Sequence, residues 1–361
     1  MSKYYSLDKI LKLKAQYYMI YGERSSGKTY ACLEKIIKDY FEKGYRGAYI
    51  RRWTDDFTGK RGAALFDNHV VNGLVKKYSE GKYNGITYMG MRWYFTYMDD
   101  DGHKMKDDEP FCYGFSISGQ EHDKSTAYPN IKNVIFDEFI SRGSYIPNEF
   151  VLFMQVLSTI IRDKDDLKIF MCGNTINKYC PYFNEMGLKH IRQQKAGSID
   201  LYEYGTSGLK VAVERTTPNK DGKASDIYFA FDNPKLKMIT EGEWELDIYP
   251  HNPYKYKPKD ILFTYFIMFD GDLLQAEIVS AKNQLFTFIH KKTTDIQEPE
   301  KDLIYKLEPD SRLNYRTNLL KDKSDIGKKL NYFYAADKVF YQDNEIGEII
   351  NNYLNVCKKG L

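Results

Sequence analysis

The sequence has little that would support a disulfide-stapled, metal-binding or membrane-spanning protein. Its 361 residues include five cysteines without a CxxC pair and six histidines without a ligand spacing, so neither a disulfide framework nor a zinc site is indicated. No apolar run approaches the ~20 residues that a membrane-crossing helix needs. The first residues, MSKYYSLDKILKLK, are too polar for a targeting segment. We therefore expect reduced cytosolic thiols and no membrane contact.

The sequence also lacks a strong net charge, an internal repeat and a low-complexity tract. The formal net charge is +3, so any contact with nucleic acid has to come from a local basic patch. Aromatic residues are abundant instead, with 32 Tyr and 21 Phe, and such side chains suit both cores and partner surfaces. The chain is longer than a single core usually supports, which favours two domains.

One octapeptide, GERSSGKT at residues 22–29, matches the phosphate-loop pattern GxxxxGK[ST] at every required position. A β-prone run, QYYMIYG, precedes it, and a helical pattern, KTYACLEKIIKDYFEKG, follows it. Glycines allow successive backbone N–H groups to curl around a polyphosphate, and the helix start favours the same anion. In this pattern Lys28 reaches the β- and γ-phosphates and the Thr29 hydroxyl ligates Mg²⁺. The sequence therefore predicts ATP and Mg²⁺ as cofactors. The predicted nucleotide-binding residues are Gly22, Arg24, Ser25, Ser26, Gly27, Lys28 and Thr29.

Two acids follow an apolar run in NVIFDEF, as the second half of such a site requires. We expect Asp137 to hold the magnesium ion and Glu138 to accept the proton of the attacking water. A further strand-like run, LKIFMCGN, ends in Asn174. That side chain is suited to orienting the water, although an asparagine in a turn is an equally good interpretation.

The N-terminal half alternates strand and helix patterns, which predicts an α/β domain with a mainly parallel sheet. Nucleotide kinases and small GTPases can carry the same loop, but the adjacent Asp-Glu pair favours the additional-strand class of P-loop ATPases. The region from about residue 54 to Gly90 reads as polar, Gly-rich sequence without regular elements.

The composition changes after about residue 217, where TTPNKDGKASD has the signature of a linker. We predict an ATPase domain over 1–217, a linker or lid subdomain over 218–245, and a smaller β-rich α+β domain over 246–361. In that last domain, three strands followed by a helical tail are expected. MFDGDLLQ places Asp270 and Asp272 around a turn. Two such acids can serve a metal-dependent nuclease, but an Asp-Gly hairpin is the preferred interpretation.

Several strings occur in a fixed order around these motifs: YIRRW, KSTAYPNIKNVIFDEFI, YIPNE, IIRDKDDLKIFMCGN and PYF. Together they resemble the DNA-packaging ATPases of phi-29-like bacteriophages over roughly residues 15–185. The resemblance implies a homomeric ring, expected to be a pentamer, that hydrolyses ATP and drives double-stranded DNA through the portal, or connector, into a procapsid. It further implies an RNase H-like second domain, its nuclease activity vestigial, that docks the motor. A structural RNA is a possible further partner, and the expected location is the host cytoplasm, transiently on the procapsid.

The resemblance also assigns roles to residues that the motifs alone leave open. Arg162 stands where the family places an arginine that reaches a neighbour's ATP, whereas by itself it would be read as pairing with Asp163 and Asp165. Lys124 matches a lysine near the subunit boundary, with a plain surface lysine as the alternative. Arg24 matches too, and either contacts phosphate or faces solvent.

One segment departs from the family, and two other functions stay open. TDDFTGKRG carries two aspartates where the family is more basic, which weakens a DNA-gripping role for Lys60 and Arg61. A helicase of the same ATPase class is the first alternative, and it predicts strand separation. A nucleotide-dependent docking protein with negligible hydrolysis is the second, and the presence of Glu138 argues against it.

Overall fold

The computed structural model of the chain forms two compact units, Met1–Glu245 and Leu246–Leu361. The residues it describes are 5–119, 128–141, 145–146, 148–162, 166–174, 180–188, 190–205, 207–217, 249–252 and 254–359. The predicted linker over 218–245 lies outside these ranges, so the domain boundaries proposed from the sequence stay predictions.

The first unit is built on a mixed sheet of ten strands. Their order is β3-β4-β6-β2-β7-β8-β1-β10-β9, with β5 beside β4. The strands are β1 (Tyr17–Gly22), β2 (Arg46–Arg51), β3 (Gly85–Met89), β4 (Arg92–Met98), β5 (Lys104–Lys106), β6 (Cys112–Ser116), β7 (Ile131–Asp137), β8 (Lys168–Asn174), β9 (Ile199–Tyr204) and β10 (Leu209–Arg215).

Six neighbouring strands, β6, β2, β7, β8, β1 and β10, run parallel, and β8 lies between β1 and β7. This extra strand between the strand of the phosphate loop and the strand of the two acids defines the additional-strand class. The predicted fold class is therefore confirmed. Since the carboxyl ends of parallel strands meet at one edge, the ends of β1, β7 and β8 form a single candidate site.

The described helices of the first unit flank this sheet. They are α1 (Asp8–Leu11), α2 (Lys28–Lys43), α3 (Lys60–Ala63), α4 (Asp67–Val71), α5 (Leu74–Tyr78), α6 (Glu149–Ile161) and α7 (Pro181–Glu185). The predicted helix after the phosphate loop is α2, whose apolar face of Leu33, Ile36 and Ile37 is buried. It ends at Gly44, which has a left-handed φ of +69° and closes the last turn through its own N–H.

The stretch from about residue 54 to Gly90 contains regular structure that the sequence analysis missed. Helices α3, α4 and α5 and strand β3 lie there. Each of these helices has only four or five residues, too few to show a clear period of 3.6 in the sequence. Phe57, Phe66 and Val75 are nevertheless buried, and Phe66 packs against the ring of Trp93. This helical segment thus takes part in the core through tertiary contacts.

The second unit has a six-stranded sheet in the order β15-β14-β11-β12-β13-β16. Its strands are β11 (Ile261–Phe269), β12 (Asp272–Ala281), β13 (Gln284–Lys291), β14 (Ile304–Lys306), β15 (Tyr315–Arg316) and β16 (Val339–Tyr341). The three predicted strands are β11 to β13, which pair antiparallel, while β14 and β15 add in parallel. Residues 292–303 between β13 and β14 contain no helix, and the RNase H-like character of this unit stays an implication of the resemblance.

The tail of the second unit differs in one respect from its prediction as entirely helical. It forms α8 (Asp325–Ala335) and α9 (Asn344–Lys359), but β16 lies between them and pairs parallel with β13. The three-residue strand follows Asp337, whose φ of +53° breaks the helical path. Within the described residues, no helix is both long and apolar enough to cross a membrane.

The acids Asp270 and Asp272 belong to a tight hairpin, as the preferred interpretation of the sequence held. Asp270 and Gly271 both have positive φ, +55° and +81°, and connect β11 to β12. Asp272 is buried and pairs with Lys291, at 3.1 Å between carboxylate and ammonium. In the described part of the chain, the one group of three side chains spaced for a metal ion is elsewhere, at Asp99, Asp101 and His103 in the turn after β4.

We predict that the contact between α2 and the sheet has no room for an additional methyl group at Gly47. A Cβ at this position would lie 2.5 Å from Ile36 Cδ1, so Gly47→Ala should lower the free energy of unfolding by about 1–3 kcal/mol. Ile36→Ala alone should cost about 2–5 kcal/mol. The double variant should lose clearly less than the sum, as measured by urea unfolding.

Ile37→Ala supplies the matched control for this cycle. Ile37 is equally buried in the same helix but is not among the atoms nearest to the added methyl. Its effect should therefore add to that of Gly47→Ala. Simple additivity for the Ile36 pair would contradict the proposed packing.

Candidate functional site

The loop between β1 and α2 needs glycine at two positions. Gly22 has a φ of +154°, and a Cβ there would lie 2.1 Å from Thr216 Oγ1. Thr216 is held close because its N–H donates to the carbonyl of Tyr21 at 2.8 Å. Gly27, immediately before α2, has a φ of +92°. These two residues allow the backbone to turn sharply around the start of the helix, as a phosphate-binding loop requires.

Lys28 lies inside this loop and does not extend into solvent. Its ammonium donates to the Glu23 carbonyl at 2.6 Å, to Ser26 Oγ at 3.1 Å and to Asn174 Oδ1 at 3.4 Å. Burial lowers the pKa of Lys28, although nearby acidic groups oppose this effect. The ammonium is thus held at the centre of the loop by three oxygen atoms. A bound polyphosphate could replace these weak partners with charged ones.

Thr29 and Asp137 bring the end of β7 to the start of α2. The Thr29 hydroxyl donates to Asp137 Oδ1 at 2.8 Å, and the Tyr49 hydroxyl donates to Asp137 Oδ2 at 2.9 Å. Burial raises the pKa of Asp137, while Arg51 and the two hydroxyl groups lower it. A hydroxyl and a carboxylate side by side are oxygen ligands of the kind that Mg²⁺ prefers. These residues therefore fit the predicted metal.

Glu138 follows directly and is held by an arginine. Its φ of +58° lies in the left-handed region, and its exposed carboxylate accepts from Arg51 Nη2 at 2.7 Å. The same guanidinium also contacts Asp137 at 3.5 Å and Asp56 at 3.1 Å. Burial alone would lower the pKa of Arg51, but Tyr49 and these acids raise it. In this arrangement Glu138 has to exchange its ion pair for water before it can act as a base.

The structure brings together the side chains of Lys28, Thr29, Asp137, Glu138 and Asn174, which sequence reasoning had predicted separately. Asn174 reaches the loop because Gly22 and Asn174 are partners in the parallel pairing of β1 and β8.

The other predicted site residues occupy different positions. Arg24 and Ser25 are exposed on the loop, whereas Ser26 is buried. Arg162 is exposed at the C-terminal end of α6, with a φ of +27°. Lys124 lies outside the described residues. Lys60 and Arg61 are exposed in α3.

Sequence reasoning missed Tyr49 and Arg51 as site residues. Both lie near the end of β2, which pairs with β7 and so ends beside the two acids. The run YIRRW was visible in the sequence, but only the strand order shows that it adjoins NVIFDEF. One signal in the sequence could have identified Tyr49 and Arg51. It is a polar residue at the end of a strand whose neighbour in the sheet ends in acids.

Comparisons with known proteins find similarity to phage DNA-packaging proteins. Residues 1–195 match the sequence model of the family described as Podovirus DNA encapsidation protein (Gp16). The chain is 24% identical over 185 residues to the DNA packaging proteins of Bacillus phages PZA and phi29, which is 50% of this chain and 49% of theirs. It is 26% identical over 193 residues to that of Bacillus phage B103, covering 51% of this chain and 50% of that protein. The chain thus aligns with about half the length of these curated relatives.

Two solved structures share the fold along nearly the whole chain. One is a chain of the bacteriophage Phi-29 viral genome packaging motor assembly, with a TM-score of 0.59, 18% identity and 97% coverage of both chains. The other is the Phi-28 gp11 DNA packaging motor, with a TM-score of 0.56, 17% identity and 99% coverage of both chains. At these identities the likeness concerns the fold alone.

We expect that Tyr49→Phe weakens the binding of a magnesium nucleotide by about 10–100-fold, because the lost hydroxyl supports the Asp137 carboxylate, which is predicted to hold the metal. Without that donor the pKa of Asp137 rises further, so binding should fail at a higher pH as the solution is acidified. Titration of Mg²⁺ with a fluorescent ADP analogue, repeated at decreasing pH, measures both effects.

Tyr83→Phe is the matched control for this prediction. Tyr83 is as buried as Tyr49, and its hydroxyl donates to the Asp107 carboxylate at 2.8 Å. This variant should bind the magnesium nucleotide as the wild type does. Equal losses in both variants would contradict a specific role for Tyr49.

Proposed function

The chain belongs to the Podovirus DNA encapsidation protein (Gp16) family, since the family's model matches more than half of it, and on this premise we propose that it is the ATP-hydrolysing subunit of a viral DNA-packaging motor. In this proposal a homomeric ring, expected to be a pentamer, moves double-stranded DNA through a portal into a procapsid. The motor works in the host cytoplasm, transiently attached to the procapsid. A structural RNA is a possible additional partner.

A single observation carries the proposal. The side chain directly after Lys28, that of Thr29, donates to Asp137 at 2.8 Å, so the phosphate loop and the acidic strand end share one site. Glu138 is next to Asp137 and is exposed, as a base that must reach water has to be. Nucleotide binding alone would not need this second carboxylate.

The residues suggest how ATP would be cleaved. Lys28 holds the β- and γ-phosphates, and Mg²⁺ held by Thr29 and Asp137 neutralises the charge on their oxygens when it is bound. Glu138 accepts a proton from water, the water oxygen bonds to the γ-phosphorus, and the bond to the β–γ bridging oxygen breaks, giving ADP and phosphate. Asn174, 3.4 Å from the Lys28 ammonium, is positioned to orient the water.

Arg51 gives the site a resting state in this scheme. Its ion pair with Glu138, at 2.7 Å, occupies the carboxylate that has to accept the proton. Hydrolysis therefore requires that Arg51 release Glu138. A γ-phosphate, which carries negative charge, competes for the same guanidinium.

Arg162 is proposed to act on the ATP of a neighbouring subunit. It is exposed at the end of α6, where it is accessible to another chain. A guanidinium there would stabilise the charge that develops on the γ-phosphate oxygens and would make each site depend on two subunits. Lys124 is proposed to assist at the same boundary.

The grip on DNA should be directed at phosphates, because a packaging motor has to pass any sequence. Lys60 and Arg61, exposed in α3, are candidates for this contact. We propose that the second unit serves docking and has lost nuclease activity. Asp272 is paired with Lys291, which leaves it poorly suited to a catalytic metal.

Glu138→Gln should abolish ATP turnover while nucleotide binding stays near wild type, since the amide cannot accept the proton. Lys28→Ala should instead weaken binding itself. Steady-state phosphate release, measured with and without duplex DNA, and nucleotide titration separate the two variants. Glu80→Gln, at an exposed turn after α5, is the control and should keep wild-type turnover. Undiminished turnover in Glu138→Gln would refute the proposed base, and strand separation by the wild type would indicate a helicase.

Arg162→Ala subunits mixed with wild-type subunits should depress ATP turnover more steeply than the wild-type fraction falls. The reason is that each variant subunit leaves its neighbour's site without the arginine, and in a ring whose sites depend on one another that inactive site also slows the others. The titration is repeated with Arg92→Ala, which truncates an exposed arginine of β4 and should give a nearly flat curve. A strictly proportional decline for Arg162→Ala would contradict this dependence of one subunit's site on its neighbour.

A further inference from the structure

A buried ion pair lies directly behind the two catalytic-site acids. Arg52, the residue after β2, donates to the carboxylate of Glu149, the first residue of α6, through Nε at 2.8 Å and Nη2 at 2.9 Å. The two residues are only 5% and 2% exposed. Such a two-point contact between guanidinium and carboxylate fixes both position and orientation. Neither residue belongs to the hydrolytic scheme described above.

The remaining donors of Arg52 bind the main chain of the acidic loop. Nη1 donates to the Glu138 carbonyl at 3.1 Å, and Nη2 donates to the Phe139 carbonyl at 2.9 Å. The guanidinium also lies over the Tyr145 ring, 5.0 Å from its centre. One side chain therefore holds two consecutive peptide groups, and the first of these belongs to the proposed base.

This restraint acts where the backbone is strained. Glu138 has a φ of +58°, a conformation that costs energy for any residue with a Cβ and persists only when its surroundings enforce it. The direction of the Glu138 carboxylate depends on that conformation. A relaxed backbone would turn the carboxylate away from the position that Asp137 and the phosphate loop define.

Glu149 is itself firmly fixed. Its two oxygens also accept from the Tyr182 hydroxyl at 2.8 Å and from the Ile146 N–H at 2.8 Å. The surroundings are apolar, with Phe136, Phe139 and Phe153 fully buried. A buried ion pair in such surroundings is not needed for stability, since apolar residues of similar volume often serve as well. Its geometry therefore calls for another explanation.

We propose that Arg52 is a positioning residue for ATP hydrolysis: it holds the main chain of Glu138 so that the carboxylate faces the attacking water, and Glu149 holds Arg52 in place. This inference rests on the proposed function, because it takes Glu138 to be the base. Arg51 and Arg52 then have separate tasks. Arg51 binds the carboxylate of Glu138, and Arg52 binds its backbone.

The test separates positioning from stability. Arg52→Met, Glu149→Leu and the double variant are compared with wild type in unfolding temperature, ADP affinity, and kcat and KM for ATP with duplex DNA. Each single variant leaves one charge buried alone and should be destabilised, and the double variant should regain much of that stability. In all three, kcat should fall by about 10–100-fold with KM and ADP affinity within about twofold, because the phosphate loop is untouched.

The double variant decides the outcome. A kcat that stays low while stability returns supports positioning, whereas a kcat that recovers together with stability overturns it. Arg52→Lys keeps the charge beside Glu149 but not the forked donor geometry. It should remain folded even if Arg52→Met does not, and it should show the same loss of kcat. Full activity in Arg52→Lys would also overturn the proposal.

Two controls keep this result distinct from the proposed function. Asp39→Asn removes another buried carboxylate, one that pairs with Lys35 and accepts from Asn133. It should lower stability and leave kcat unchanged. Wild-type turnover is measured first: if it is absent, the proposed function and this inference fail together, and if it is present while the Arg52 variants keep full kcat, only this inference fails.

Discussion

Parallel hydrogen bonding among β1, β8 and β7 places three strand ends at one edge of the sheet. Gly22 is paired in register with Asn174, and Cys172 with Asp137. A slip of one residue in either pairing would turn these side chains to the other face. The contacts of Lys28 with Asn174 and of Thr29 with Asp137 all depend on this register. The geometry of the site therefore depends on the strand pairing of the sheet as well as on the phosphate loop.

Features that lie within one short segment could be predicted from the sequence, whereas contacts between distant segments were missed. The phosphate loop and the acidic strand end each lie within one short segment whose flanking pattern is visible, so Lys28, Thr29 and Asp137 could be proposed as site residues from the sequence. Arg51 meets Glu138 only because β2 is hydrogen bonded to β7, eighty-odd residues later in the chain. The helices between β2 and β3 were missed for a related reason. Their buried residues are held by contacts with other elements, as Phe66 is by Trp93 of β4 and α5 is by α2.

The end of β2 shows how two adjacent residues with the same charge come to act differently. Successive side chains of an extended chain point to opposite sides. Arg51 therefore reaches the exposed side of Glu138, and Arg52 reaches the buried side of the same residue. In the proposed scheme the contact of Arg51 with the Glu138 carboxylate is exchangeable, whereas the buried contact of Arg52 is protected from competing water. Two adjacent arginines thus give one glutamate an ion pair to its carboxylate and a buried hydrogen bond to its backbone.

Helix α6 spans the distance between this anchor and Arg162. It has 13 residues, which at about 1.5 Å per residue makes a strut roughly 20 Å long. Because its first residue is locked to Arg52 and its last precedes Arg162, a tilt imposed at one end swings the other. In a ring whose subunits share their active sites, the state of one subunit's nucleotide site would then change the position of the Arg162 that it contributes to the next subunit. The order of hydrolysis around such a ring would then be coupled through α6 and would need no additional coupling element.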